Sequence, residues 1–272
     1  MYNTFYGFAE SPFNMTPNSR FFYNSGKHTE ALSTLLYAIR ERKGFVVVTG
    51  EIGSGKTTVC RAVLNQLGAD TEFALITNTH LGARDLLSTI LEDLNVDFHA
   101  GSKARLLSQL NQYLIDQMRQ DKNVVVIIDE AQNLKPSVLE EVRMLSNLET
   151  EREKLIQIVF LGQPELKKKL ALPQLEQLRQ RIAVYFHLTP LSKEDAFAYI
   201  RYRLEVAGAG DREIFSDHAL ELAAEFSGGV PRVINQICDS ALLSGYVRDI
   251  KIIDADLMEE VISESPLRQI SG

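Results

Sequence analysis

The sequence has little of several features that would point to particular classes of protein. It has only two cysteines, Cys60 and Cys238, which lie far apart within apolar helical patterns. They form neither a disulfide framework nor a metal-ligand spacing, so we expect two small buried side chains in a reducing compartment. No run of about 18 apolar residues occurs, and residues 1–17 lack the basic-then-apolar pattern of a secretory signal. These absences favour a cytoplasmic protein unless a partner holds it elsewhere.

An excess of positive charge is also absent. The formal net charge is −7 and the isoelectric point is about 5.4, which excludes a bulk basic field for nucleic acid and leaves a local basic patch open. There is no internal repeat and no low-complexity segment. The 272 residues, 45% of them hydrophobic, suit a large α/β domain with a smaller domain attached.

Short β-branched runs alternate with helical patterns over most of the chain. We predict strands at 45–48, 73–76, 124–128, 156–161 and 184–188 and helices at 28–42, 56–67, 83–94, 103–119 and 136–148. Strands that are apolar on both faces and alternate with helices predict a parallel sheet that is covered on both sides. Only helical patterns follow, at 193–206, 216–226, 231–247 and 255–263. The expected domains are an N-terminal arm at 1–27 that packs on the body, an α/β domain at 28–190 and a helical domain at 191–272.

The segment Gly50–Thr57 matches the pattern G-x-x-x-x-G-K-[ST] in full, between a predicted strand and a predicted helix. Glycines allow a tight turn that brings backbone N–H groups onto phosphate oxygens, and the helix that follows presents its N-terminus to the same anion. Lys56 would reach the β- and γ-phosphates of ATP, and the Thr57 hydroxyl would bind Mg²⁺. The alternative is an ordinary glycine turn with an exposed lysine. The predicted phosphate-binding residues are Gly50, Glu51, Ile52, Gly53, Ser54, Gly55, Lys56, Thr57 and Thr58.

Two carboxylates, Asp129 and Glu130, follow the apolar strand at 124–128. Strand ends at the carboxyl edge of a sheet are where α/β proteins bind ligands. Asp129 would therefore hold Mg²⁺, directly or through water, and Glu130 would polarise the attacking water of a hydrolase. The alternative is a solvated strand end. Because the chain has no guanine-reading Asn-Lys-x-Asp motif, ATP is favoured over GTP.

Further motifs surround these two elements along nearly the whole chain. They are Phe8 with Pro12-Phe13, Thr16-Pro17, Phe21-Phe22-Tyr23, Asp129-Glu-Ala-Gln132, Leu145-Ser-Asn-Leu-Glu149, Leu161-Gly-Gln-Pro-Glu-Leu166 and Gly229-Val-Pro-Arg-Val-Ile-Asn235. As a set they resemble AAA+ ATPases of the ExeA, or general secretion pathway A, type. The MSHA-pilus biogenesis ATPases look similar, as do, more distantly, transposition helper ATPases. The resemblance implies a P-loop NTPase domain with a C-terminal helical lid.

The resemblance also implies roles for four polar residues. Gln163 matches the sensor-one position, which reads the γ-phosphate or the attacking water, and Arg232 matches sensor two in the lid. Arg179 and Arg181 precede the fifth strand, where AAA+ proteins place an arginine finger that acts on a neighbour's ATP, and Arg181 is the preferred candidate. The alternatives are a polar residue at a helix start for Gln163, a surface arginine for Arg232 and helix-end cations for Arg179 and Arg181.

The resemblance suggests partners as well. A homo-oligomer is expected, with a hexameric ring favoured, in the service of an envelope-assembly protein of a secretion or pilus system. The alternative is a DNA-associated helper of the transposition type, and a third interpretation is a scaffold that hydrolyses ATP very slowly. Relatives often carry a membrane span and a periplasmic part, so we expect a short family member or an excised cytoplasmic portion.

The resemblance makes Phe22 and Tyr23, with His28 nearby, candidates to flank the adenine. The basic run Lys167–Lys169 has no functional pattern and is expected to form a solvated helix face.

Overall fold

The structure is a computed structural model that describes residues 1–16, 18–149 and 154–266. These residues fold as two units. The sheet unit comprises Glu30–Gly50 and Cys60–Leu188, and the helical unit comprises Met1–Thr29, Glu51–Val59 and Thr189–Gly272. Pro17, the second residue of the Thr16-Pro17 motif, lies outside the described residues.

The secondary structure follows the predicted alternation of strands and helices. The strands are β1 (Phe45–Gly50), β2 (Thr71–Ile76), β3 (Asn123–Ile128), β4 (Gln157–Gly162) and β5 (Ile182–Leu188). The α-helices are α1 (Tyr2–Tyr6), α2 (Gly26–Arg40), α3 (Lys56–Leu64), α4 (Ala83–Asp93), α5 (Lys103–Arg119), α6 (Pro136–Leu145), α7 (Pro164–Leu170), α8 (Glu176–Gln180), α9 (Lys193–Val206), α10 (Asp217–Ser227), α11 (Pro231–Val247) and α12 (Ala255–Glu264). No helix in these ranges is long and apolar enough to cross a membrane.

The sheet unit is built on one five-stranded parallel sheet with the order β2-β3-β4-β1-β5. The register places Val47 of β1 and Ile128 of β3 on either side of Phe160 in β4. The rings of Phe45 and Phe160 stack in the core, with centroids 5.8 Å apart. The predicted α/β class with a parallel sheet and a C-terminal helical part is confirmed.

The strands differ in how far they are buried. Every residue of β1 and β4 is buried, and so is all of β3 except its first residue. The expectation that all strands are apolar and buried on both faces is wrong for β2 and β5. These two strands form the edges of the sheet, and in β5 more exposed and less exposed residues alternate, with Tyr185 at 42% exposure. An edge strand has a neighbour on one side only, so less of its surface is covered.

Helix termini carry the signals that the sequence offers for them. Ser102 caps α5, because its hydroxyl accepts a hydrogen bond from the backbone N–H of Arg105, and Ser192 caps α9 in the same way. In α5, Leu106, Leu110 and Leu114 recur every four residues and form its buried stripe. The predicted helix boundaries lie within about three residues of the observed ones.

The helical unit has a core that combines the N-terminal arm with α9–α12. Tyr6, Phe8, Phe13 and Phe21 are buried in this core. Two features were not predicted. Residues 2–6 form the helix α1, and residues Phe215 and Ile253 form a parallel β-bridge. Cys60 of the sheet unit and Cys238 of the helical unit are both buried, as expected.

A buried arginine ties the arm to α9 within the helical unit. Arg203 is 6% exposed, and its guanidinium donates to the carbonyl of Pro12 at 2.5 Å and to the hydroxyl of Tyr199 at 2.7 Å. Its charged group also lies over the ring of Phe21, 4.8 Å from the centroid. These bonds satisfy acceptors that water cannot reach.

We expect Arg203→Ala to destabilise the protein by about 2–4 kcal/mol, because it leaves buried acceptors without donors and removes packing. The matched control is Arg201→Ala on the same helix, where the side chain is 62% exposed and pairs with Asp217. That change should cost less than about 1 kcal/mol. Urea unfolding of both variants measures the difference, and equal losses would contradict the structural role of Arg203.

Candidate functional site

Three strand ends lie side by side at one edge of the sheet unit. Because β3, β4 and β1 are parallel neighbours, their carboxyl ends bring Asp129, Gly162 and Gly50 to the same edge. The glycine-rich loop begins where β1 ends, and α3 begins at Lys56. Ligands of α/β proteins bind at such an edge. The predicted site residues on these strands are therefore brought together.

The loop needs glycine at two positions for two separate reasons. Gly53 and Gly55 have φ angles of 80° and 99°, which residues with a Cβ rarely adopt. Space is also lacking at both positions. A Cβ on Gly53 would lie 2.4 Å from Cβ of Arg232, and one on Gly55 would lie 2.8 Å from Nε2 of His28. The backbone of the loop is thus closely approached from two sides within the helical unit.

The polar groups of the loop suit an anion with many oxygens. Lys56 is 6% exposed, and its ammonium donates to the carbonyl of Glu51 at 2.9 Å. The Ser54 hydroxyl is buried, and its oxygen has no hydrogen-bond partner among the described residues. A buried hydroxyl without a partner is costly, and a phosphate oxygen is a chemically suitable partner for it. The donor set of the loop therefore fits the phosphates of a nucleotide.

His28 bonds to the loop through one ring nitrogen and to Ser25 through the other. Nδ1 lies 2.7 Å from the Ser25 hydroxyl, and Nε2 lies 3.1 Å from the backbone carbonyl of Ser54. A carbonyl can only accept, so Nε2 carries the proton and Nδ1 accepts from Ser25 in the neutral ring. Burial lowers the pKa of His28 below its ordinary value of 6.5, with the Ser54 carbonyl and Asp195 acting in the opposite direction.

The aromatic residues expected near adenine have other contacts in the structure. Phe22 stands edge-on to His28 with centroids 6.1 Å apart. Tyr23 packs against Tyr199 and Tyr202 of α9, at centroid distances of 6.0 and 5.7 Å. His28 is buried at 5% exposure and bonded to the loop. A role of these residues at the base stays a prediction.

Asp129 continues the β-ladder beyond the end of β3. Its backbone N–H donates to the carbonyl of Ile76 at 2.9 Å, and the side chain is buried at 7% exposure. Asp129 Oδ1 accepts from the N–H of Glu130 at 2.9 Å. Burial raises the pKa of the Cys60 thiol on α3 to about 12, and the charge of Asp129 raises it further. Asp129 is therefore held at the end of β3 by hydrogen bonds of the backbone, and its charge acts on Cys60 within the sheet unit.

Glu130 follows in a backbone conformation that is unusual for its residue type. Its φ of 51° lies in the left-handed region, which costs a residue with a Cβ about 1–3 kcal/mol. The conformation ends the strand and starts a short 3₁₀ helix, Ala131–Asn133. The Thr79 hydroxyl reaches the Glu130 carbonyl at 3.4 Å, and the N–H of Asn133 donates to the same oxygen at 2.9 Å. The strained turn is thus held by two hydrogen bonds to one carbonyl oxygen.

Two amide side chains hold the carboxylate of Glu130. Nε2 of Gln132 donates to Glu130 Oε2 at 2.5 Å, and Nε2 of Gln163 donates to the same oxygen at 3.0 Å. The two glutamines are also joined, because the backbone N–H of Gln163 donates to Oε1 of Gln132 at 3.1 Å. Gln163 precedes α7, but its side chain makes no helix-capping bond. Donors of this kind fix an ionised carboxylate in one orientation.

Gln132 is a residue whose role the sequence did not indicate. It belongs to the motif Asp129-Glu-Ala-Gln132, in which the sequence predicts roles for Asp129 and Glu130 alone. The side chain of Gln132 has space because residue 162, at the end of β4, is a glycine. A Cβ on Gly162 would lie 3.0 Å from Oε1 of Gln132 and 2.7 Å from Leu166 Cδ2. The sequence contains no local signal for this role, because it depends on the pairing of β3 with β4.

The three predicted arginines have different surroundings. Arg232 lies in the first turn of α11; its backbone N–H donates to the carbonyl of Gly53 at 3.3 Å, so this arginine lies against the loop. Arg181 follows α8, and its Nη1 donates to Oγ of the buried Ser146 at 2.5 Å. Arg179 donates to the carbonyl of Ala171 at 3.3 Å. Both Arg179 and Arg181 are exposed overall.

Comparison with known proteins relates the chain to one family. A model of the AAA domain matches residues 39–170. General secretion pathway protein A of Aeromonas hydrophila is 44% identical over 270 residues, which cover 98% of this chain and 49% of that protein. The chain thus spans about half the length of this relative.

Solved structures with low sequence identity share the fold. The ADP form of the Aeropyrum pernix ORC2 protein is 14% identical with a TM-score of 0.72, and the similarity covers 94% of this chain and 73% of that one. The Thermotoga maritima RuvB Holliday junction branch migration motor is 18% identical with a TM-score of 0.60, over 88% of this chain and 69% of that one. The fold is that of P-loop nucleotide-binding proteins. Together with the motifs, these similarities confirm the resemblance drawn from the sequence: the chain belongs to the AAA ATPases of the general secretion pathway protein A type.

Proposed function

We propose that the chain is a Mg²⁺-dependent ATPase. Gly50–Thr58 would bind the phosphates, with Lys56 on the β- and γ-phosphates. Thr57 and Asp129 would hold Mg²⁺, which neutralises phosphate charge when it is bound. Glu130 would orient and polarise the attacking water, Gln163 would act as sensor one, and Arg232 would act as sensor two from its position on the loop.

The observation that carries this proposal is the pair of amides on Glu130. A strand-end carboxylate with no function would be solvated, whereas Glu130 accepts from Gln132 and Gln163 in a strained turn. Such support is typical of a group whose orientation matters for chemistry, because a general base must lie within hydrogen-bond reach of its proton. The neighbouring strand end leads into the phosphate loop, whose donor set fits a nucleotide.

We further propose that the ATP site is shared between subunits of a ring-like homo-oligomer, with six subunits favoured. Arg181 is the candidate finger. Its guanidinium is held by Ser146, whose hydroxyl donates in turn to the carbonyl of Arg143 at 2.7 Å, at the C-terminal end of α6. The negative end of a helix favours a cation there, so this arginine is oriented before it meets a neighbour. Arg179 is the second candidate.

We propose that this ATPase serves an envelope secretion or pilus biogenesis system. Its support is the 44% identity to a protein that is named for the general secretion pathway. Because the chain spans about half of that relative, the partner that directs it there is part of the proposal. A cytoplasmic location, held at the inner membrane through that partner, is consistent with it.

We expect Lys56→Ala and Glu130→Gln to separate nucleotide binding from hydrolysis. Lys56→Ala should weaken ATP binding about 10- to 100-fold, because a charge-assisted contact to phosphate is lost. Glu130→Gln should retain binding and lower kcat by about 10²- to 10⁴-fold, because the general base is lost. Glu92→Gln, an exposed carboxylate on α4, is the control. Phosphate release and binding of a fluorescent ATP analogue, both with Mg²⁺, are the measurements.

Normal ATP binding by Lys56→Ala would overturn the phosphate assignment, and normal turnover by Glu130→Gln would overturn the hydrolytic one. The same assay with duplex DNA addresses the DNA-associated alternative. A turnover that rises with DNA at low salt and falls as salt increases would favour it over the secretion proposal.

Mixing two inactive variants tests whether the site is shared. Arg181→Ala should lower turnover by about 10³-fold or more, and Arg179→Ala should have the smaller effect. Arg181→Ala keeps its own phosphate loop, and Lys56→Ala keeps its own finger. A mixture of these two variants should therefore recover activity that neither has alone. A mixture as inactive as its components would contradict a shared site in which Arg181 acts across the interface.

The burial of His28 predicts how stability depends on pH. Because the pKa of His28 is lowered in the folded protein, the unfolded chain binds a proton more readily than the folded one. The contribution of His28 to the free energy of unfolding is therefore complete above pH 6.5 and falls as the pH drops below that value. His28→Gln, which keeps a donor and does not titrate, should lose less stability between pH 7.5 and 5.5, by no more than about 1.4 kcal/mol per pH unit. Urea unfolding at both pH values measures this, with His218→Gln as the control, and parallel losses in wild type and His28→Gln would contradict it.

A further inference from the structure

The lysine run Lys167–Lys169 is not the solvated face that the sequence suggests. Lys167 and Lys168 are exposed, whereas Lys169 is half-buried. Successive helical residues are about 100° apart, so the third lysine comes round to the side of Leu166, which is fully buried in α7. Its ammonium donates to the backbone carbonyls of Gln132 and Leu134, the latter at 2.8 Å. The expectation of a solvated face is wrong for this residue.

These two carbonyls stand at the end of the turn that follows Glu130. The 3₁₀ helix Ala131–Asn133 is only three residues long, and the N–H of Leu134 donates back to the carbonyl of Ala131 at 3.2 Å. The last carbonyls of a helix have no partner within it, and a cation that binds them acts as a C-terminal cap. Lys169 therefore holds a turn that its own few hydrogen bonds would hold weakly.

The same turn carries the side chain that holds Glu130. Lys169 binds the backbone oxygen of Gln132, and the side-chain amide of Gln132 donates to the Glu130 carboxylate. The second amide on that carboxylate belongs to Gln163, the residue before α7. Both amides are thus attached to α7, one through the chain and the other through the ammonium of Lys169.

We propose that Lys169 is a positioning residue for hydrolysis, and this role rests on the proposed function. By capping the 3₁₀ turn it fixes Gln132, and through Gln132 it fixes the orientation of the Glu130 carboxylate. Lys169 itself contacts backbone oxygens and no reacting group. Its loss should therefore affect turnover and leave nucleotide affinity unchanged.

The test compares three variants: one removes the charge of Lys169, one replaces its cation by another, and one removes the charge of the neighbouring Lys168. Lys169→Met keeps the aliphatic length and removes the charge, Lys169→Arg keeps a cation that can bind two carbonyls, and Lys168→Met is the exposed control. We expect Lys169→Met to lower kcat about 10-fold with less than about a 2-fold change in the dissociation constant of an ATP analogue. Lys169→Arg should recover part of the loss, and Lys168→Met should match the parent.

A double variant tests the route through Gln132. If Lys169 acts through that side chain, Lys169→Met should have almost no further effect on kcat in a Gln132→Ala background. If the losses in kcat of the two single variants multiply in the double variant, Lys169 does not act through Gln132. Equal kcat values for Lys169→Met and Lys168→Met would overturn the positioning role itself.

Amide hydrogen exchange gives a readout that needs neither nucleotide nor activity. In Lys169→Met the backbone of residues 131–134 should exchange about 10-fold faster or more than in the parent, with the strands of the sheet unchanged. Unchanged exchange rates at residues 131–134 would contradict the capping role of Lys169. A parent protein that does not hydrolyse ATP would overturn the proposed function and with it the catalytic role, while the exchange rates would still decide whether Lys169 holds the turn.

Discussion

The hydrogen bonds that two amides donate to Glu130 depend on the register of two neighbouring strands. Gln132 follows β3 and Gln163 follows β4; Ile128, the last residue of β3, pairs with Phe160, and β4 continues for two more residues to Gly162. The left-handed turn at Glu130 then aims the carboxylate at the two amides, and the absence of a side chain at Gly162 leaves space for Gln132. A shift of either strand by one residue would turn these side chains to the other face of the sheet. The buried apolar residues of β3 and β4 therefore determine the polar geometry at their ends.

A second set of contacts, within the helical unit, determines the shape of the phosphate loop. The start of α11 lies on Gly53 and His28 lies on Gly55, so the loop is shaped by its neighbours as well as by its own glycines. Ser25 connects the arm to the same place through His28. The aromatic arm thus has a consequence beyond burying its own rings, because its Ser25 holds His28, the residue that bonds to the backbone of the loop.

Much of this could be predicted from local sequence patterns. The buried strands β1, β3 and β4 and the larger helices follow from hydrophobic period and β-branched composition, and the glycine-lysine motif has a meaning that does not depend on distant residues. The helix α1 could not be predicted, since five residues are too few for a helical period to appear. The partial exposure of β5 could not be predicted either. It follows from the position of β5 at the edge of the sheet, and the sequence of a strand does not determine its place in the strand order.

The role of individual polar residues was harder to predict for the same reason. Gln132 and Gln163 lie 31 positions apart, and only the pairing of β3 with β4 makes them neighbours. Three consecutive lysines look alike in a sequence, and only the phase of α7 distinguishes Lys169 from the other two. Patterns indicate which residue types are present at a strand end, whereas tertiary packing decides which of them touch.

The attachment of both amides to α7 has a consequence for how the site can change. A helix of seven residues moves as a rigid body, so a rotation of α7 would withdraw Gln163 through the chain and Gln132 through the cap at its last turn. The two hydrogen bonds on Glu130 would then be lost or gained together. The two hydrogen-bond donors of this carboxylate are therefore coupled to each other through the position of a single helix.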